Sequence, residues 1–95
     1  AQERLRELAT QSADRRVARA LLRLLAQAGR RSDDGVRIDF PLRRKDIADI
    51  TGVTLHTVSR VLARWERRGL LISKRPHLIV MRPDDLHQIA EECPD

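Results

Sequence analysis

Arg44 to Ala63 read RKDIADITGVTLHTVSRVLA. Small or apolar residues fall at Ile47, Ala48, Gly52, Val53, Val58, Val61 and Leu62, a spacing that describes two short helices crossing at a tight turn. Ala48 lets the second helix approach the first. Gly52 supplies the positive φ that ends the first helix, and Val58 with Val61 and Leu62 closes the angle between the two. Thr54 caps the second helix: its hydroxyl accepts from the free amides near His56 and Thr57, so that helix starts at about Leu55. His56, Thr57, Ser59, Arg60 and Arg64 then lie on faces that the apolar stripe leaves open, within reach of a base edge. The stretch reads as a helix-turn-helix.

Upstream, Val17, Leu21, Leu24 and Ala28 form a helical stripe widened by Ala18, Ala20, Leu22 and Leu25, and Gly29 stops it. Ser12 is a candidate N-cap with Asp14 in the first turn, which places a hinge near residues 10–12. Residues 1–11 carry Leu5 and Leu8 among charges, too little to fold alone, and read as the end of a longer helix in a longer protein. Arg15, Arg16, Arg19 and Arg23 lie mostly off the stripe and read as solvated surface. RRSDDG at 30–35 is a polar turn, and Val36, Ile38 and Phe40 alternate with Arg37 and Asp39 as a short strand.

Downstream, Gly69 ends the helical pattern. Leu70–Ile72 and Leu78–Met81 read as strands joined by the turn SKRPH, and Asp84 and Asp85 open a last helix to about Glu92 that buries Leu86, Ile89 and Ala90. The expected fold is mainly α with a small β wing (α+β): a winged helix-turn-helix, with a three-helix core and short antiparallel strands. The helix-turn-helix spans about 44–68 and the wing about 70–81, within a domain of 12–95 that comes after the 1–11 linker helix.

With 95 residues and only Phe40 and Trp65 as aromatics, the interior is built from Leu, Ile, Val and Ala, and Trp65 is expected to pack against the first helix. The net charge of +5 is concentrated: residues 42–75 hold nine Lys or Arg against three acids. Such a stripe neutralises phosphates and supplies the sequence-independent part of nucleic-acid binding. Arg43, Arg44 and Lys45 stand at the positive end of a helix, where a nearby phosphate explains them better than helix stability does. Cys93, the lone cysteine, has no partner for a disulfide or a metal cage and fits a reducing cytoplasm. No apolar run crosses a membrane and no secretory leader is read before the first helix. The acids and the three histidines are too scattered for catalysis or metal binding, so no enzyme and no cofactor is expected of this chain.

TLHTVSRVLARWERRGLL, preceded by RKDIADITGV, resembles the C-terminal DNA-binding domain of the Crp/Fnr family of bacterial transcription regulators. The leading helix resembles the end of that family's dimerisation helix, and RVARALLRLL the helix after its hinge. The resemblance implies a homodimer that reads an inverted repeat of TTG-like half-sites in double-stranded DNA. It also implies an N-terminal sensor, with its own unknown effector, that this chain lacks.

The family's reading motif has Glu, two residues, Ser or Gly, then Arg, and it falls here on His56, Ser59 and Arg60. Arg60 would pair bidentately with guanine O6 and N7, the competing role being a surface arginine paired with Glu66 or Asp49. Ser59 would donate to a base or sit near a thymine methyl. His56 departs from the motif: a glutamate there accepts from cytosine, whereas an imidazole offers a different donor and acceptor set. Arg43, Arg44, Lys45, Thr54, Thr57 and Arg64 are expected on backbone phosphates, with Lys74 and Arg75 at the wing tip. The resemblance also implies a contact with RNA polymerase through the turn that holds Asp33 and Asp34, the competing and preferred role being a solvated turn. The alternatives to a sequence-specific regulator are a winged-helix module that docks a protein and a non-specific DNA-binding domain.

Overall fold

The computed structural model describes residues 2–74 and 76–91, with side chains described from residue 12 onward. Among these the order is α1 (Gln2–Ala28), β1 (Gly29–Ser32), β2 (Gly35–Ile38), α2 (Arg44–Thr51), α3 (Leu55–Arg67), β3 (Leu71–Lys74), β4 (His77–Val80) and α4 (Pro83–Glu91). The expected winged helix-turn-helix is what forms, with the expected last helix and the expected strand before α2, and with one further strand, β1.

The core is aliphatic around a single indole. Val17, Ala18 and Leu21 of α1 meet Ile47 of α2, Val58, Val61, Leu62 and Trp65 of α3, and Leu86, Ile89 and Ala90 of α4 in one buried cluster. On α3 those four residues sit at i, i+3, i+4 and i+7, so one stripe is consumed by the core and the opposite face is left to solvent. The fourth helix is integral: its contact with α1 is the most extensive between any two helices, and the Arg19 guanidinium donates to the Ala90 carbonyl at 3.1 Å to hold its end.

Four antiparallel strands make one sheet in the order β1-β2-β4-β3. The expected polar turn at 30–35 is largely strand: Gly29–Ser32 pairs with Gly35–Ile38, leaving a two-residue turn at Asp33–Asp34. All four residues of β1 are exposed, so the strand has no apolar alternation by which a sequence could announce it. Phe40 lies beyond β2, half-buried against the core rather than in the strand. Gly35, at φ 152°, lets β2 approach β4, because a Cβ there would stand 2.4 Å from the Val80 carbonyl oxygen. In the wing the ladder runs to Lys74↔His77, so the turn is shorter than SKRPH suggests and both strands reach further into polar sequence. Arg75 lies outside the described residues, as do Glu92 and Cys93.

The expected cap and hinge at residues 10–12 are not present: α1 runs unbroken through Ser12. Serine lowers helix propensity by well under 1 kcal/mol, and residues 2–28 contain no Gly or Pro to stop the helix. A capping residue needs a break ahead of it, and nothing in this stretch makes one.

Candidate nucleic-acid interface

The turn of the helix-turn-helix is built by side chains as well as by glycine. Gly52 adopts φ 74° and its N–H donates to the Ala48 carbonyl at 2.9 Å, closing α2. The Thr51 hydroxyl donates back to the Ile47 carbonyl at 2.7 Å and accepts from the Val53 N–H at 3.2 Å, so one side chain bridges the helix end and the turn. Thr54 then caps α3 as its position predicts, its Oγ1 accepting from the Thr57 N–H at 3.2 Å and lying 2.9 Å from the Thr57 hydroxyl. Thr54→Ala should therefore cost about 1 kcal/mol, seen as a lower denaturation midpoint with an unchanged denaturant slope. An unchanged midpoint would show that the cap contributes nothing here.

Opposite the buried stripe of α3, His56, Ser59 and Arg60 share one face at i, i+3 and i+4. His56 and Arg60 are exposed and Ser59 is half-buried. Glu66 engages Arg44 instead of Arg60, at a long 3.8 Å, and among the described residues Arg60 has neither an ion pair nor a hydrogen bond. A guanidinium left exposed and unpaired keeps all five donors available for a ligand.

Leu55 borders this face, four residues before Ser59, and sequence reasoning missed it. Spacing alone puts Leu55 one turn ahead of Val58, at the edge of the buried stripe, yet it is 51% exposed. An apolar side chain there, beside the polar readers, suits a thymine methyl.

The expected phosphate contacts divide by what they already touch. Arg43 and Lys45 are exposed at the start of α2. The backbone N–H of Arg43 donates to the Asp46 carboxylate at 2.9 Å, which leaves its guanidinium outside the cap. Lys74 meets Asp34 at 3.0 Å, tying the wing to the β1–β2 turn, but both are so exposed that a phosphate exchanges for the carboxylate at little cost. Arg64 differs from the rest. It forms a 2.5 Å charge-assisted bond with Asp14 of α1, partly shielded from solvent, and this pins the recognition helix to the first helix.

A capped helix with an exposed polar face, the basic start of α2 and the wing beside it thus form one surface suited to a duplex. The sequence matches the Crp-like helix-turn-helix domain over residues 15–89. The chain belongs to the Crp/Fnr family. It is 33% identical over 91 residues to the nitrogen fixation regulation protein FixK of Rhizobium meliloti, covering 95% of this chain and 41% of that protein. The FixK of Bradyrhizobium diazoefficiens is 41% identical over 87 residues, covering 87% and 35%. The fumarate and nitrate reduction regulatory protein of Escherichia coli is 28% identical over 83 residues, covering 87% and 33%. Among solved structures, oxidised CprK in complex with o-chlorophenolacetic acid superposes with a TM-score of 0.78 at 34% identity, covering 97% of this chain and 39% of that one.

The chain spans about four-tenths or less of the length of these relatives. It carries that family's Crp-like helix-turn-helix domain, and the relatives it matches are named as regulation proteins. No helix among the described residues is long and apolar enough to cross a membrane, and no three metal-ligating side chains among them gather into a site.

Proposed function

We propose that this Crp/Fnr domain reads DNA sequence by placing α3 in the major groove of a TTG-like half-site, Arg60 pairing with guanine, Ser59 and His56 completing the polar readout. The observation that carries this is the exposed Arg60, without an ion pair among the described residues, on the face of α3 that the core leaves open, one helical turn from His56. Arg43, Arg44, Lys45, Thr54, Thr57 and the wing lysine Lys74 fix the register on phosphates, with Arg75 assigned by its place in the turn sequence alone. Arg64 joins them only by exchanging Asp14. In the full-length protein we assign a cytoplasmic homodimer reading an inverted repeat, its half-site centres about 34 Å apart. An N-terminal sensor holds any effector or cofactor, and the Asp33–Asp34 turn is available to RNA polymerase.

Fluorescence anisotropy with a duplex bearing inverted TTG and CAA half-sites, against a scrambled duplex, tests the reading. A preference of about tenfold or more that persists as salt rises supports base readout. Equal affinities that vanish together with salt would leave a non-specific basic surface, and no binding at low salt would favour a protein-docking module. In the same titration Lys74→Ala should weaken both duplexes alike and lower the salt slope by about 0.9.

A further inference from the structure

The interface built on α3 and the wing leaves the basic residues of α1 unused, and their arrangement is not random. Arg16, Arg19 and Arg23 line one groove between α1 and α2 together with Ala20, Ile50 and Thr51, with no carboxylate among the lining residues. Spacings of three and four residues place the guanidiniums on neighbouring turns, and seven residues carry the row about 10.5 Å along the helix axis. Like charges so placed repel one another, and mid-helix they gain nothing from the helix dipole. The Arg19 guanidinium is partly occupied by the Ala90 carbonyl. Arg16 and Arg23 are exposed and have no ion pair among the described residues.

Arg16 also lines the adjoining groove of about 380 Å³, which opens on Ser12, Thr54 and Thr57 at the start of the recognition helix. The row is therefore continuous with the surface assigned to DNA. A run of about 10 Å is long enough to meet more than one phosphate of a strand, since the charges of one strand recur about every 3.4 Å of duplex axis.

We infer that the Arg16–Arg23 row is a second track for the DNA backbone, carrying phosphates of the duplex that flanks the base-read positions. This rests on the DNA-reading assignment of α3. The row supplies affinity and salt dependence without sequence preference, since a phosphate looks the same beside every base. A duplex aligned with it meets α1 as well as α3 and is held across a longer footprint.

The test compares the 95-residue chain with R16Q/R23Q, with R16K/R23K, and with R31Q/R82Q, which removes the same charge from β1 and from the segment before α4. Each is titrated into specific and scrambled duplexes with long flanks, between about 50 and 200 mM salt. R16Q/R23Q is expected to lose affinity about tenfold on both duplexes at low salt. Its slope of log K against log salt should fall by about 1.8, the release from two phosphates, while the specific-to-scrambled ratio stays unchanged. The lysine pair restores most of the slope, and R31Q/R82Q leaves it near that of the parent. Circular dichroism melting confirms that all four are folded.

If the glutamine pair matches the parent or the control, or loses affinity at an unchanged slope, the row does not touch DNA and the inference falls while the base-reading assignment stands. Loss of binding to polyglutamate with DNA binding intact would also overturn it, reassigning the row to an acidic protein. A parent chain that binds no duplex overturns the base-reading assignment, and the track with it.

Discussion

Arg60→Ala should abolish discrimination at one base position while leaving affinity for scrambled DNA almost untouched. The side chain is exposed, lies outside the buried stripe of α3 and has no ion pair among the described residues, so its removal opens no cavity and strands no partner. Alanine is also the better helix former, which keeps α3 intact. What disappears is a bidentate pair to guanine, about 1–3 kcal/mol of discrimination, or roughly a 5- to 150-fold loss of preference. Arg60→Lys should retain non-specific affinity but lose most of the preference, because an ammonium carries the charge without the planar fork. The measurement is anisotropy at one salt concentration against the inverted repeat and against duplexes in which the guanine alone is replaced. Equal losses on all duplexes would place Arg60 on the phosphate backbone and remove it from base reading.

The fold was legible in the sequence wherever a buried stripe met a steric punctuation mark. Val58, Val61 and Leu62 at helical spacing, Gly52 at the turn and Thr54 at the cap located α2 and α3 closely, because each signal has one low-energy structural answer. Legibility failed where the chain is exposed. The four residues of β1 bury nothing, so their pairing with β2 is decided by backbone hydrogen bonds that any sequence can make. Ser12 misled in the opposite sense, since a capping residue type inside a long uninterrupted helix is only a tolerated polar residue.

The site divides along the same line. The faces of α3 come from periodicity, so the positions of His56, Ser59 and Arg60 were readable. Which cations are already engaged was not, because the Asp14–Arg64 and Asp34–Lys74 pairs join residues 50 and 40 positions apart. Leu55 escaped for a related reason: periodicity says which way a side chain points, whereas exposure depends on what packs against it.

Trp65→Ala should be the most damaging single substitution for stability. The indole is fully buried within the cluster that α1, α3 and α4 share, and it is the largest side chain there. Truncating a buried tryptophan costs about 3–5 kcal/mol through lost transfer energy and the cavity left behind. Against the roughly 5–15 kcal/mol typical of a domain, that is a large fraction, and for this chain length it should lower the melting temperature by more than about 10 °C. The indole Nε1 has no hydrogen-bond partner among the described residues, so phenylalanine keeps a ring in the core and removes a buried donor that gains nothing where it is. Trp65→Phe should therefore lose much less than Trp65→Ala, and equal losses would show that the indole N–H is satisfied after all. Because the ring is wholly enclosed, it cannot stack on a base. Below its midpoint, the folded fraction of Trp65→Ala should keep the base preference of the parent, with added DNA raising its melting temperature by mass action. Loss of preference in the folded protein would instead show that the indole sets the orientation of the reading face of α3, and that the core under the recognition helix is part of the specificity mechanism.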